Sequence, residues 1–154
     1  MAIKSGIQAP DFSLMNQDDE VVKLSDYQGK QVVLYFYPKD DTQGCTTEAC
    51  SFRDDYSAFD NTGIVILGVS PDSTASHRKF IAKYQLPFSL LADVDHKVCG
   101  LYGVWGRKKF MGKEYDGVFR TTFLIDEQGK IIKTFENVKP SEHSKEVLEA
   151  FMNQ

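Results

Sequence analysis

The chain has few of the residues that staple or anchor a fold: among 154 residues there are three cysteines, three histidines, five prolines and one tryptophan. A small, odd cysteine count excludes a disulfide framework, and a chain of this length buries enough surface to fold as one domain, residues 1–154, without one. No apolar run approaches the roughly 20 residues of a membrane-spanning helix, which excludes a membrane protein of that kind. The start, "MAIKSGIQAPDF", has neither the apolar core of a secretory signal nor an Arg-rich amphipathic look, so a cytoplasmic location is expected. A net charge of -4 and a pI near 5.3 give no broad reason to bind nucleic acid. His77, His96 and His143 are scattered without metal-ligand spacing, and no metal is expected. Repeats, low-complexity tracts and linkers are absent as well.

What is present is an alternation of apolar patterns. "DFSLMNQDDEVVKLS" predicts two short strands, Phe12 to Leu14 and Val21 to Leu24, around an Asn/Asp-rich turn. "QVVLYFYP", Gln31 to Pro38, is a continuous β-branched and aromatic run, the pattern of a strand buried on both faces. From Thr46 to Asn61, Ala49, Phe52, Tyr56 and Phe59 recur at helical intervals. "IVILGVS" then predicts a second buried strand, Thr74 to Tyr84 a helix, "FSLLAD" a third strand and Asp95 to Tyr102 a short helix. "VFRTTFLIDEQGKIIKTFE" predicts two strands about a Gln-Gly turn, and Glu142 to Met152 a closing helix. This order implies an α/β fold with a central mixed sheet and helices on both faces. Ligands of such sheets gather where a strand turns into the next helix, and "PKDDTQGC" lies at such a turn.

Cys45 and Cys50 lie five residues apart in "GCTTEAC". On an intact helix that spacing separates the α-carbons by about 8.6 Å and turns the side chains roughly 140° apart. Disulfides rarely exceed about 7 Å between α-carbons, so a bridge requires the first turns to unwind. A C-x-x-C pair, about 5 Å apart by the same geometry, needs no such movement. Cys45 falls on the apolar stripe and Cys50 off it, so the two thiols start in different environments.

Cys45 sits where a first helical turn favours thiolate through unpaired amides and the helix dipole. Thr42 is placed to cap that turn. Ionisation alone is not enough: a cysteine of ordinary pKa is already about 3% thiolate at pH 7, which leaves at most about thirtyfold, roughly 2 kcal/mol, to gain. Faster chemistry needs donors aimed at the charge that develops on the substrate. Arg120, which interrupts the apolar stretch "VFRTTFLI", is the best candidate, since a guanidinium can serve a thiolate and a substrate oxygen together. Read from spacing alone, it could equally be a strand-end arginine paired with a carboxylate.

Pro38, Thr42 and Cys45, spaced P-x-x-x-T-x-x-C, resemble the peroxidatic motif of the peroxiredoxins, and Cys50 resembles the resolving position of their bacterioferritin comigratory protein, or PrxQ, class. The likeness runs on through "GIQAPDFSL", "DVDHKVCGLYGVWGRKKFMGKEYDG" and "RTTFLID". It implies a thioredoxin-like fold with an N-terminal β-hairpin extension and a thiol peroxidase that uses no cofactor: no metal, heme or flavin. Cys45 would become a sulfenic acid on attacking hydrogen peroxide or an organic hydroperoxide, and Cys50 would resolve it as an intramolecular disulfide. Thioredoxin, or a glutaredoxin-like protein, would be the reductant. Pro38 would shield Cys45, Thr42 would hydrogen-bond the thiolate and peroxide, and Arg120 would hold both. A disulfide confined to one helix needs no second subunit, so a monomer is expected.

Other features have plainer readings. Cys99 in "HKVCGLYG" reads first as a buried small side chain and second as an alternative resolver. The basic stretch "GRKKFMGKEYDG" reads as a solvated loop, and Trp105 and Phe110 beside it either pack or line the approach to the site. Phe52 and Tyr56 read as core. Glu48, taken as first-turn, suits the helix dipole yet opposes a thiolate nearby. The rival to a peroxidase is a thioredoxin-like dithiol/disulfide exchange protein, which the five-residue spacing disfavours.

Overall fold

Every residue of β3 (Val32–Phe36) is buried, because it is hydrogen-bonded along both edges and packed on both faces. Val32, Leu34 and Phe36 point into one apolar layer, and Val33 and Tyr35, followed by Tyr37, into another. This is the period-2 alternation of a strand with two interiors to fill. The computed structural model describes residues 2–153.

Around β3 the chain lays down β1 (Ser13–Met15), β2 (Val21–Lys23), α1 (Gln43–Asp54), α2 (Tyr56–Asn61), β4 (Val65–Ser70), α3 (Thr74–Tyr84) and β5 (Ser89–Ala92). Then follow α4 (Lys97–Leu101), β6 (Trp105–Phe110), β7 (Lys113–Val118), β8 (Thr121–Ile125), β9 (Ile131–Phe135) and α5 (His143–Met152). The main sheet has the order β2-β1-β5-β4-β3-β8-β9. Among the described residues only the β3–β4 and β4–β5 pairs are parallel, and helices α1 to α3 supply the crossovers that parallel neighbours require. The N-terminal hairpin β1–β2 joins the sheet against β5.

The second layer, holding Cys45, Ala49, Phe52, Phe59, Phe80, Val147 and Phe151, packs α1, α2, α3 and α5 on one face. The first layer holds Phe12, Val98, Cys99, Tyr102 and Phe123, so α4 and the N-terminal segment cover the other. Cys45 and Cys99 therefore lie on opposite faces of the sheet.

Two expectations from the sequence need correction. The helix predicted over Thr46 to Asn61 starts earlier, at Gln43, and breaks at Asp55, whose φ of -102° and ψ of 12° leave the helical region. There the Asp55 carboxylate accepts a 2.6 Å hydrogen bond from the Ser144 hydroxyl of α5, fixing the corner. The basic stretch is not a loop but a separate hairpin, β6–β7, turning at Met111 and Gly112, both with positive φ (53° and 80°). Cross-strand pairs Arg107–Asp116, at 3.4 Å, and Lys109–Glu114, at 3.9 Å, explain how so many charges occupy a ribbon.

Candidate active site

The loop from β3 to α1 is fastened before the helix begins. Tyr37 extends the strand with an N–H bond of 3.0 Å to Val69 C=O, after which Pro38 offers no donor and the ladder ends. Asp41 takes a positive φ of 58°, and its carboxylate accepts from Lys83 Nζ at 2.8 Å and Tyr84 Oη at 3.0 Å, both on α3. Thr42 then holds the extended N-cap position of α1. The first intrahelical bond runs from Thr46 N–H to Thr42 C=O at 2.8 Å. The amides of Gln43, Gly44 and Cys45 precede that ladder and point out of the helix end.

Cys45, in that first turn, is 2% exposed, and Arg120 Nη2 donates to its Sγ at 3.3 Å. The other end of the guanidinium donates from Nη1 to Glu48 Oε1 at 2.7 Å. Arg120 sits in the short link between β7 and β8, beside the carboxyl end of β3, as the strand order requires. One guanidinium thus serves two groups, a cysteine sulfur and a carboxylate. Burial works against Arg120's own charge, but Glu48 and Cys45 more than offset it and hold its pKa above the ordinary range. Glu48 is fully buried, its Oε2 has no partner among the described residues, and burial raises its pKa to about 7 against the pull of Arg120. Lys108 of β6, half-buried, donates to Val118 C=O at 2.9 Å, and burial, then Arg120, holds its pKa below the ordinary value.

Gly44 permits this approach. A Cβ at that position would lie 3.1 Å from Arg120 Nη2, tighter than most real contacts, and in ordinary contact with Pro140 at 3.5 Å. Neither Gly44 nor Glu48 was singled out for this role from the sequence. The available signal was a glycine immediately before a first-turn cysteine. Glu48 lies in the second turn, not the first, since the helix starts at Gln43.

Thr42 departs from expectation. Its hydroxyl donates to Lys39 C=O at 2.9 Å, forms no side-chain cap and makes no hydrogen bond to Cys45. With its proton engaged, Thr42 Oγ1 offers lone pairs, which suit the O–H of an incoming hydroperoxide better than a thiolate. Pro38, half-buried, lies four residues before it.

The other two thiols contrast with Cys45. Cys50, still on an intact α1, is half-buried and free, and burial raises its pKa while Arg53 opposes. Cys99 is fully buried on the far face of the sheet, with its backbone N–H donating to Asp93 Oδ2 at 2.7 Å. Burial, then Asp93, pushes its thiol far above the ordinary range. The reading of Cys99 as an alternative resolver fails, because the sheet stands between it and Cys45. Trp105 stacks on His96 at 3.9 Å and Phe110 is exposed at the hairpin end.

Residues 5–134 match the AhpC/TSA family. Peroxiredoxin Bcp of Bacillus subtilis strain 168 is 53% identical over 149 residues, covering 97% of this chain and 95% of that protein. This chain belongs to the AhpC/TSA family and is a peroxiredoxin. Peroxiredoxin Bcp of Escherichia coli K12 is 49% identical over 146 residues, covering 95% of the present peroxiredoxin and 94% of that one. Among solved structures, the Xanthomonas campestris bacterioferritin comigratory protein, studied for alkyl peroxide reduction through trapped intermediate and ligand complexes, superposes with a TM-score of 0.90. It is 35% identical, over 97% of this chain and 98% of that one. The fold is accordingly that of the thioredoxin-like peroxiredoxins, with the β1–β2 hairpin as its N-terminal extension, and the class of enzyme is a thiol peroxidase. Among the described residues no helix is long and apolar enough to cross a membrane.

Proposed function

We propose that this peroxiredoxin, acting as one unit over residues 1–154, reduces hydrogen peroxide and organic hydroperoxides at Cys45, with Cys50 as the resolving thiol. The observation that carries this reading is the single guanidinium, Arg120, that touches the sulfur of a buried first-turn cysteine. A hydroperoxide entering there meets three kinds of donor or acceptor. The free amides of Gly44 and Cys45 and the Arg120 fork stabilise charge on its oxygens, and Thr42 Oγ1 accepts its proton-bearing end. The Cys45 thiolate attacks one oxygen, the O–O bond breaks, and the leaving oxygen takes a proton to become water or an alcohol. Cys45 is left as a sulfenic acid. Pro38 limits access of bulk solvent and reductant to that sulfur.

Resolution needs movement, because α1 is intact and Cys45 and Cys50 sit about 8.6 Å apart at helix geometry. Once the first turns unwind, the Cys50 sulfur displaces the sulfenic oxygen as water and a Cys45–Cys50 disulfide forms. A dithiol protein of the thioredoxin type then reduces the bond and becomes oxidised itself. Because both sulfurs come from one helix, the cycle runs in a monomer. Three free thiols suit a reducing cytoplasm.

The test is anaerobic: one equivalent of hydrogen peroxide is added to the reduced protein, and products are followed by mass spectrometry. Two thiols should disappear into a Cys45–Cys50 disulfide, Cys50→Ser should accumulate a Cys45 sulfenic acid, and Cys45→Ser should lose the fast reaction. Wild-type peroxide consumption by Cys45→Ser would overturn the assignment. Turnover with glutaredoxin but not thioredoxin would change only the reductant.

A further inference from the structure

A buried polar network lies under the loop that feeds α1, and the peroxidase chemistry above makes no use of it. His77 of α3 is 0% exposed, and both of its ring nitrogens are engaged. Nε2 faces Leu91 C=O at 3.0 Å, and a carbonyl only accepts, so that nitrogen carries a hydrogen. Nδ1 faces Asp40 Oδ2 at 2.7 Å. The same carboxylate accepts from Tyr37 Oη at 2.5 Å and from Ser76 Oγ at 2.8 Å. Asp40's own amide donates to Asp72 Oδ2 at 2.8 Å, an oxygen that also accepts from Ser70 Oγ at 2.6 Å. Asp40, Asp72 and His77 lie close enough to suggest a metal cage, but protein donors already engage these atoms. The cluster is a latch between the loop, the end of β3, α3 and β5.

The latch has a specific mechanical position. Asp40 lies two residues before Thr42, and its neighbour Asp41 is held by Lys83 and Tyr84, also on α3. The entry to α1 is therefore fastened at consecutive residues. At the other end of the moving segment, Ser51 Oγ donates to Ser144 Oγ at 2.7 Å, and Ser144 donates on to Asp55. Between these anchors, Arg120 is the tie from outside the helix, reaching Cys45 and Glu48. A satisfied buried network of this kind is rigid and specifies one arrangement.

We propose that Asp40 and His77 are positioning residues that set the division of time between the reactive helix and the unwound, resolving one. This rests on Cys45 and Cys50 having the roles given above. By pinning the loop, the latch keeps Thr42 and the first amides of α1 aligned on Cys45 for attack on peroxide. The same pinning delays unwinding, so the Cys45 sulfenic acid stays longer in the folded site. There a second hydroperoxide can oxidise it to a sulfinic acid, its own O–O bond breaking and water or alcohol leaving. Loosening the latch should slow the first step, speed the resolving step and protect Cys45 from overoxidation.

Rapid-quench mass spectrometry of wild type, His77→Leu and Asp40→Asn with hydrogen peroxide separates the two steps. Oxidation of Cys45 should slow by roughly tenfold in either variant, as small misplacements of reacting groups do, while sulfenic acid should convert to disulfide a few times faster. Sulfinic acid formed in excess peroxide should fall in parallel, and His77→Gln, which keeps a donor at the site, should lie between. If both rate constants stay at wild-type values, or fall by the same factor, the latch is structural only and the proposal is overturned. Should His77→Leu fail to fold, Asp40→Asn keeps the shape and carries the same comparison. If wild type itself forms no Cys45–Cys50 disulfide, the underlying reading fails first, and that result shows before any variant is mixed.

Discussion

Cys45 and Cys99 are both buried in short-range contact with a charged side chain, at 2% and 0% exposure, yet they belong to different chemistries. Cys45 faces the guanidinium of Arg120, at the start of a helix whose first amides are free. Cys99 lies inside a five-residue helix over the carboxylate of Asp93, which adds to burial in keeping its proton on. Burial alone makes a thiol inert, and the sign of the partner decides whether it becomes a nucleophile. The sheet stands between them, so in the proposed cycle Cys99 does not compete for a sulfenic acid on Cys45.

The comparison breaks most completely at Arg120. Arg120→Met leaves Cys45 as enclosed as Cys99 without its cation, and the second-order rate with hydrogen peroxide should fall by about 10²–10³, measured by stopped flow under pseudo-first-order conditions. Gly44→Ala leaves the charge and moves it: the added Cβ crowds Nη2, and a loss of roughly tenfold is expected in the same assay.

Glu48 sharpens the electrostatic half of the comparison. Glu48→Gln removes a carboxylate that shares Arg120 with Cys45 and leaves more of the guanidinium's charge to the sulfur. The same variant tests stability. A carboxyl held near pKa 7 in the fold, against an ordinary 4.5, binds more protons native than unfolded. Wild type should therefore lose stability as pH rises from about 4.5 to about 7, by about 3 kcal/mol in total, with the full cost present above pH 7. Urea unfolding at pH 5 and pH 8 should show that slope in wild type and a flatter one in Glu48→Gln; equal slopes would refute it. The smallest effect belongs to Asp93→Asn. Although it removes the charge beside Cys99, that thiol should stay unreactive to iodoacetamide in the folded state and the peroxidase rate should stay within about twofold, since burial and the sheet remain.

Much of this was legible in the sequence because its signals were local. The continuous apolar run of β3, the five-residue spacing of the thiols and the arginine between apolar residues each mean something before any folding is known. The readings that fell short concern contacts made across the fold. Glu48 could be seen near Cys45, but not that both would share one guanidinium 72 and 75 residues away in the chain. The hydroxyl of Thr42 chose Lys39 C=O over the helix amides, a competition between neighbours that spacing does not resolve. The charges of Arg107 and Lys109 suggested a loop because their partners, Asp116 and Glu114, become neighbours only after the chain reverses at Met111 and Gly112.

The tie from Ser51 through Ser144 to Asp55 marks a boundary in composition as well as in the helix. Ahead of it, Gln43 to Cys50 carries two threonines, a glycine, a glutamine and a glutamate, and its one hydrocarbon side chain is a single methyl, at Ala49. Behind it, Phe52 and Phe59 are wholly enclosed. A helix that unwinds only as far as the tie brings hydroxyls and amides into water and leaves the aromatic rings covered. Under the proposed unwinding, each catalytic cycle opens the fold without exposing an adhesive surface, and repeated oxidation does not drive the protein toward aggregation.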